Sequence, residues 1–103
     1  MENIRMLLCC GAGMSSGLLA QKARKAAKKR GIEASIEARS ESEAPQYFSS
    51  VDILLLGPHY ASYQEEMAEM AKPYNVPVIV IPQDIYGMLD GDKLLDLALA
   101  NLT

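Results

Sequence analysis

Two adjacent cysteines, Cys9 and Cys10, close an apolar run, and the chain then reads Gly11-Ala12-Gly13-Met14-Ser15-Ser16-Gly17. A thiol at the end of a strand, followed by a glycine-rich turn into a helix, has the parts of a nucleophilic anion site. Gly11, Ala12 and Gly13 leave backbone amides uncovered, and glycine permits the positive φ angles that turn several N–H groups toward one centre. Ser15 or Ser16 is expected to N-cap the following helix. A helix N-terminus offers unpaired N–H groups and a partial positive charge, which suits a tetrahedral dianion. The same field favours thiolate over thiol, so the Cys10 pKa is expected below that of an ordinary cysteine, and the thiolate is the nucleophile. These residue types in this order point to phosphoryl transfer through a phosphocysteine, with Cys10 as the catalytic nucleophile and Gly11, Ala12, Gly13, Met14, Ser15, Ser16 and Gly17 as the phosphate cradle.

Cys9 has a different expectation. Side chains alternate along a strand, so Cys9 and Cys10 should point to different sides, and Cys9 reads as a small core hydrophobe. A bond between the two is disfavoured, because adjacent Cα atoms lie about 3.8 Å apart where disulfides span roughly 4.4 Å or more. One histidine and two adjacent cysteines do not make a zinc spacing. No metal and no cofactor is expected.

The elements that must position this loop alternate in period. Residues 3–9 read as a nearly all-apolar strand, and from Ser16 to Arg30 the pattern becomes helical, with Leu19, Ala23, Ala26 and Ala27 on one side. Lys22, Arg24, Lys25, Lys28, Lys29 and Arg30 read as the solvated face of that helix, and Gly31 as its C-terminal stop. Residues 32–39 alternate as a half-exposed edge strand. A polar connection comes next, then a buried strand, Val51 to Gly57. Residues 60–72 read as a helix with Met67, Met70 and Ala71 toward the core, and Met88 reads as core filling too. Residues 76–82 form the fourth strand. A short turn or helix around Asp84 to Leu89 leads to a last helix from Asp92 to Leu102, with an apolar stripe of Leu94, Leu95, Ala98, Leu99 and Leu102.

Strands alternating with helices imply an α/β fold: an open four-stranded parallel sheet with helices on both faces. Right-handed crossovers and a fully apolar first strand favour the order 2-1-3-4. In such sheets ligands bind beyond the carboxyl ends of the strands, at the switch between strands 1 and 3. Cys10 falls there, with Gly57, Pro58, His59, Tyr60, Gln83 and Tyr86 as the expected rim. Among these, His59 and the tyrosines are read first as a polar loop residue and as rings half-buried between helix and sheet.

The chain has 103 residues, half of them hydrophobic, and a formal net charge of −3. That length suits one domain, residues 1–103. The acidic balance argues against nucleic acid as a partner. Its apolar runs are too short to span a bilayer and its N-terminus does not read as a signal peptide, so no direct membrane insertion and a cytoplasmic location are expected.

Cysteine loops between a first strand and a first helix also occur in the low-molecular-weight tyrosine phosphatases, whose signature needs an arginine six residues after the cysteine. Here that position is Ser16. Arginine would bind phosphate bidentately and stabilise the transition state, so its absence suits a protein that holds a phosphoryl group and passes it on.

The stretch "LLCCGAGMSSGLLAQK" resembles the active-site segment of the enzyme IIB components of the sugar phosphotransferase system, lactose/cellobiose (chitobiose) group. "DILLLGPH" resembles that family's third strand and following loop, and "IYGMLDG" its segment before the last helix. The resemblance implies a phosphocarrier that takes phosphate from a phosphohistidine of the IIA component and donates it to a sugar entering through the membrane component IIC. The sugar would be a β-linked disaccharide such as cellobiose, chitobiose or lactose. By position, Cys10 matches the phosphorylated cysteine and Gly11 to Ser16 the phosphate-cradling loop. Two other readings compete: a cysteine phosphatase or arsenate reductase of related architecture, and a thiol redox sensor in which Cys9 would matter as much as Cys10. A flavodoxin-like cofactor binder is weaker, since the loop lacks a run of hydroxyls and there is no tryptophan to stack.

Overall fold

Leu7 and Leu8 are neighbours in the chain, point to opposite sides of one sheet, and are both about 1% exposed. A strand buried on both faces must be central and covered twice, and this governs the architecture. The computed structural model describes residues 3–9, 14–40 and 42–102, with residues 14–16 as backbone. Strand β1 (Ile4–Cys9) is followed by helix α1 (Met14–Lys29), β2 (Ala34–Arg39), a 3-10 turn (Ala44–Tyr47) and β3 (Ile53–Leu56). A 3-10 segment (Pro58–Tyr63) then leads into α2 (Gln64–Ala71), a second 3-10 turn (Lys72–Tyr74), β4 (Val78–Val80), α3 (Gln83–Gly87) and α4 (Gly91–Ala100). All pairings are parallel and the strand order is β2-β1-β3-β4, as the alternation of elements predicts.

The period of two along each strand sorts the core into two layers. Ile4, Met6 and Leu8 of β1 and Ile53 and Leu55 of β3 face α1 and α4, where they meet Leu19, Ala23, Leu94 and Leu95. Leu7, Cys9, Leu54 and Leu56 face the other way, onto Phe48, Met67 and Ala71. Strand β2 is the lateral one, and only Ile36 along it is fully buried.

Helix α1 ends where glycine allows. Gly31 has φ +71°. Its N–H donates to the Lys28 carbonyl at 3.1 Å and the next N–H, of Ile32, donates to Ala27 at 2.8 Å. This 6→1 and 5→2 pair is the Schellman closure. The start of α1 departs from expectation. The helix begins at Met14, so Ser15 and Ser16 lie in its first turn and are not its N-cap. Serine tolerates those positions, where backbone N–H groups have no intrahelical acceptor.

Helix α4 begins with a capping contact, the Asp90 carboxylate accepting from the Lys93 N–H at 3.1 Å. Its first residue, Gly91, is buried so closely against α1 that an added Cβ would run into the Lys22 carbonyl and sit 2.6 Å from the Ala23 nitrogen. Arg30, at the far end of α1, donates to Asp96 at 2.7 Å and to Asp92 at 3.1 Å.

Three apolar expectations are corrected. The helix read over residues 60–72 is a 3-10 segment kinked at Tyr60 and then α2. Met67 and Ala71 face the sheet, but Met70 lies off that short stripe and is 41% exposed. Met88, in the turn before α4, is 79% exposed, so it fills no core. In the opposite sense, the polar stretch after β2 buries Phe48, which is 2% exposed and packs at a tilt on Tyr74.

Candidate active site

The carboxyl ends of the central strands are laced into one row. The Gly57 N–H donates to the Cys9 carbonyl at 2.8 Å, and the Ile81 N–H donates to the Leu56 carbonyl at 2.7 Å. The carboxyl ends of β1, β3 and β4 therefore lie on a single edge. Cys9 is the last residue of β1. It is fully buried in the α2 layer, and its Sγ lies 3.9 Å from the Ser40 carbonyl oxygen. That is the environment of a small hydrophobe, as expected, and not of an accessible nucleophile.

Cys10, Gly11, Ala12 and Gly13 lie outside the described residues. Their frame is described on both sides: β1 ends at Cys9 and α1 begins at Met14. Met14, Ser15 and Ser16 open α1, and Gly17, the next residue, is exposed. The N–H groups of a first helical turn have no intrahelical acceptor. No acidic side chain occupies this turn, and the lysines Lys28 and Lys29 sit at the opposite end. A carboxylate in the first turn would compete with an anion for those donors.

Of the expected rim, Gly57 is buried and serves the strand ends, and Pro58 starts the 3-10 segment. His59, Tyr60 and Tyr86 are brought together. The His59 ring lies parallel to Tyr60 at 6.4 Å between centroids and edge-on to Tyr86 at 5.3 Å. Tyr63 continues the row, 5.4 Å from Tyr60. Gln83 is exposed as the first residue of α3. His59 is exposed, and its ring contacts could not be read from the sequence, since no period links position 59 to position 86.

The arginines are engaged elsewhere. Arg5 stands near the start of β1, where its guanidinium meets Asp52 at 3.4 Å. Four residues of strand separate it from Cys9, roughly 13 Å. Arg24 donates from Nε to the Ile36 carbonyl at 2.7 Å. Arg39, which sequence reasoning overlooked, is in register with Cys9 on the neighbouring strand. Its guanidinium donates to the Tyr47 hydroxyl at 3.1 Å and to Glu37 at 2.6 Å. Those partners, Tyr47 foremost, hold its pKa above the ordinary arginine value. Among the described residues there is no metal-ligating cluster, and no helix is long and apolar enough to cross a membrane.

The family model for the lactose/cellobiose-specific IIB subunit of the phosphotransferase system (PTS) matches residues 5–97. The chain belongs to this family. The oligo-beta-mannoside-specific EIIB component of Bacillus subtilis is 36% identical over 96 residues, covering 93% of each chain. The cellobiose-specific EIIB component of Lactococcus lactis is 40% identical over 93 residues, 85% of this chain and 86% of that one. The lactose-specific IIB domain of Streptococcus pneumoniae superposes with a TM-score of 0.90 over 99% of this chain and 100% of the other, at 18% identity, which shows the shared fold. A lactose-specific EIICB component of Lacticaseibacillus casei matches at 27% identity; 98% of this chain aligns to 18% of that longer protein, which carries IIC and IIB together. The IIB family is one of sugar phosphotransferase components, and the present chain shares the fold of its solved domains.

Proposed function

We infer that Cys10 is the phosphoryl carrier of this IIB chain. In the first half-reaction the Cys10 thiolate attacks the phosphorus of a phosphohistidine on IIA. The S–P bond forms, the N–P bond breaks, and the imidazole leaves with the electron pair and takes up a proton. In the second, a sugar hydroxyl attacks the phosphocysteine. The O–P bond forms, the S–P bond breaks, and Cys10 departs as thiolate. The hydroxyl proton goes to a base on IIC, which also holds the sugar. Backbone amides from Gly11 to Gly17 offset the charge on the phosphoryl oxygens through both steps.

The observation that carries this reading is the junction itself: a central strand ending at Cys9 and a helix starting at Met14 with no acid in its first turn. Only four residues join them, which supports a Cys10 thiol within reach of that turn's amides. The fused EIICB relative supports IIC as the acceptor-side partner. The relatives named for oligo-beta-mannoside and cellobiose support a β-linked oligosaccharide as the sugar. The engagement of Arg5, Arg24 and Arg39 with other groups disfavours the phosphatase reading, and the burial of Cys9 disfavours the paired-thiol sensor.

The test is intact-mass spectrometry after mixing the chain with phosphorylated IIA and its upstream donors, wild type beside Cys10→Ser. One phosphoryl mass gained by wild type and none by the variant is the expected result. No gain by wild type would shift the reading to ester hydrolysis or thiol oxidation.

A further inference from the structure

The two coverings of the sheet carry opposite charge. Helix α1 and its end hold Lys22, Arg24, Lys25, Lys28, Lys29 and Arg30, six of the ten basic residues, and no acid stands between residues 14 and 32. Arg24 is tied to the Ile36 carbonyl, and Arg30 to Asp92 and Asp96. The four lysines are exposed, and among the described residues none of them joins an ion pair. Two carboxylates do stand near, since Lys22, Lys25 and Lys29 share a groove with Asp90 and Asp92. Both are committed: Asp90 accepts from the Lys93 N–H at 3.1 Å and Asp92 from Arg30 at 3.1 Å, so they offset only part of the lysines' charge. On the other covering, α2 carries Glu65, Glu66 and Glu69, all exposed, and from Gly57 to Ala71 there is no lysine or arginine.

The lysine face begins where α1 begins. With a rise of about 1.5 Å per residue, Lys22 lies about 12 Å and Lys25 about 17 Å from Met14. Leu18, one turn into the helix, is 47% exposed and supplies apolar contact ahead of them. A standard interface covers roughly 800 Å² on each partner, a disc of about 16 Å radius. A partner centred on the start of α1 therefore covers Leu18 and Lys22 and reaches Lys25, while Lys28 and Lys29 fall outside. Salt screens charges beyond about 8 Å at physiological strength. The lysines thus act little on a phosphoryl group at the loop. What they attract is a carboxylate that the partner's own surface brings close to them.

We propose that the Leu18–Lys22–Lys25 face of α1 is the docking surface for the phosphodonor protein, and that this donor carries acidic side chains beside its phosphohistidine. The inference rests on Cys10 being the phosphoryl carrier. The glutamates of α2 repel the same acidic surface, so the donor is set on the α1 side of the sheet's carboxyl edge. Charges at the rim of an interface raise the association rate more than the affinity, and salt removes the gain.

The experiment times phosphoryl acceptance by intact mass, with phosphorylated IIA well below saturation, at low and at high salt (about 0.05 M and about 0.5 M). The double variant Lys22→Gln/Lys25→Gln is expected to accept about tenfold more slowly than wild type at low salt and nearly as fast at high salt. At saturating donor its rate should match wild type. Glu65→Gln/Glu69→Gln should be no slower than wild type under any condition. All four positions are exposed on helices, and unaltered thermal unfolding checks the fold. A lysine variant as fast as wild type at low salt, a loss that salt does not change, or the same loss in the glutamate variant would each overturn the proposal. So would phosphatidylserine vesicles that pellet wild type but not a lysine variant of undiminished rate; the lysines then serve a lipid surface. A wild type that gains the phosphoryl group beside an equally fast lysine variant loses only this surface. A wild type that gains none loses the carrier reading, and this surface with it.

Discussion

The layer of α1 and α4 and the layer of α2 and the 3-10 turns cover the same sheet with different materials. In the first, backbones approach each other through Ala23, Ala26, Ala27 and Gly91, and the helices run long and regular. In the second, short segments punctuated by Pro45, Pro58 and Pro73 pack through larger side chains, with Phe48 and Met67 inserted into the sheet face. The close-packed layer holds one helix in a fixed place and aims its amino terminus at the end of β1. The looser layer sends rings over the sheet's edge. Positioning an anion with backbone amides demands the first kind of construction, since misplacement of a donor by an ångström is costly.

The largest test of this contrast lies at the two cysteines. Cys9 is a core residue of the α2 layer, and Cys10 belongs to the loop that feeds α1. Cys10→Ser should remove all phosphoryl acceptance by intact mass, whereas Cys9→Ser should keep most of it and cost only stability. Loss of acceptance in Cys9→Ser alone would erase the distinction. Next comes Phe48→Ala, expected to cost about 3–5 kcal/mol in denaturant unfolding because a large buried ring leaves a cavity. A loss under about 1 kcal/mol would mean that the layer collapses around the gap and is softer than its burial indicates.

Gly91→Ala probes the other layer. Its Cβ would meet backbone atoms of Lys22 and Ala23, which cannot turn aside as side chains do. Destabilisation of about 1–3 kcal/mol is expected, with α1 displaced. If α1 holds the phosphate, the same variant should also accept phosphoryl more slowly at a temperature where it remains folded. Gly31→Ala, forced into a left-handed conformation at the closure of α1, should cost about 1 kcal/mol and leave acceptance intact, since it lies at the other end of the helix.

The smallest effect is electrostatic. The hydrogen bond from Arg30 holds the Asp96 carboxyl below its usual pKa, and the guanidinium is raised in turn. A depressed carboxylate contributes stability above its unfolded pKa, near about 4, and loses it as the pH falls through the folded value. Asp96→Asn should therefore flatten the acid limb of the stability–pH curve by slightly lowering stability at neutral pH, leaving low pH unchanged; the effect is small because the pair is solvent-exposed. A variant curve parallel to wild type below about pH 4 would remove this pair from the account of α1–α4 docking.

The strand order, the layers and the place of the loop were legible because Leu7, Leu8, Leu54 and Leu55 admit only a doubly covered strand, and Gly31 only a helix stop. The start of α1 was not, since serines attract a capping assignment while tolerating a first turn. Met70 and Met88 misled because residue type alone does not give helix phase on a two-turn helix or in a turn. Phe48 was hidden by polar neighbours whose backbone turns away from the core. The contact of His59 with Tyr86 was invisible because the two lie far apart in the chain and their rings meet only when β3 and β4 lie side by side.

The contact between Gly91 and the backbone of Lys22 has an evolutionary consequence. Every missense change of a glycine codon adds at least one carbon where none fits, so this position has no neutral neighbour in sequence space. The alanines of α1 can drift to serine or glycine and still fold; position 91 can change only if α1 and α4 first move apart, and that would carry the amino end of α1 with them. Divergence within this fold should therefore accumulate in the α2 layer, away from the contact of α1 with α4.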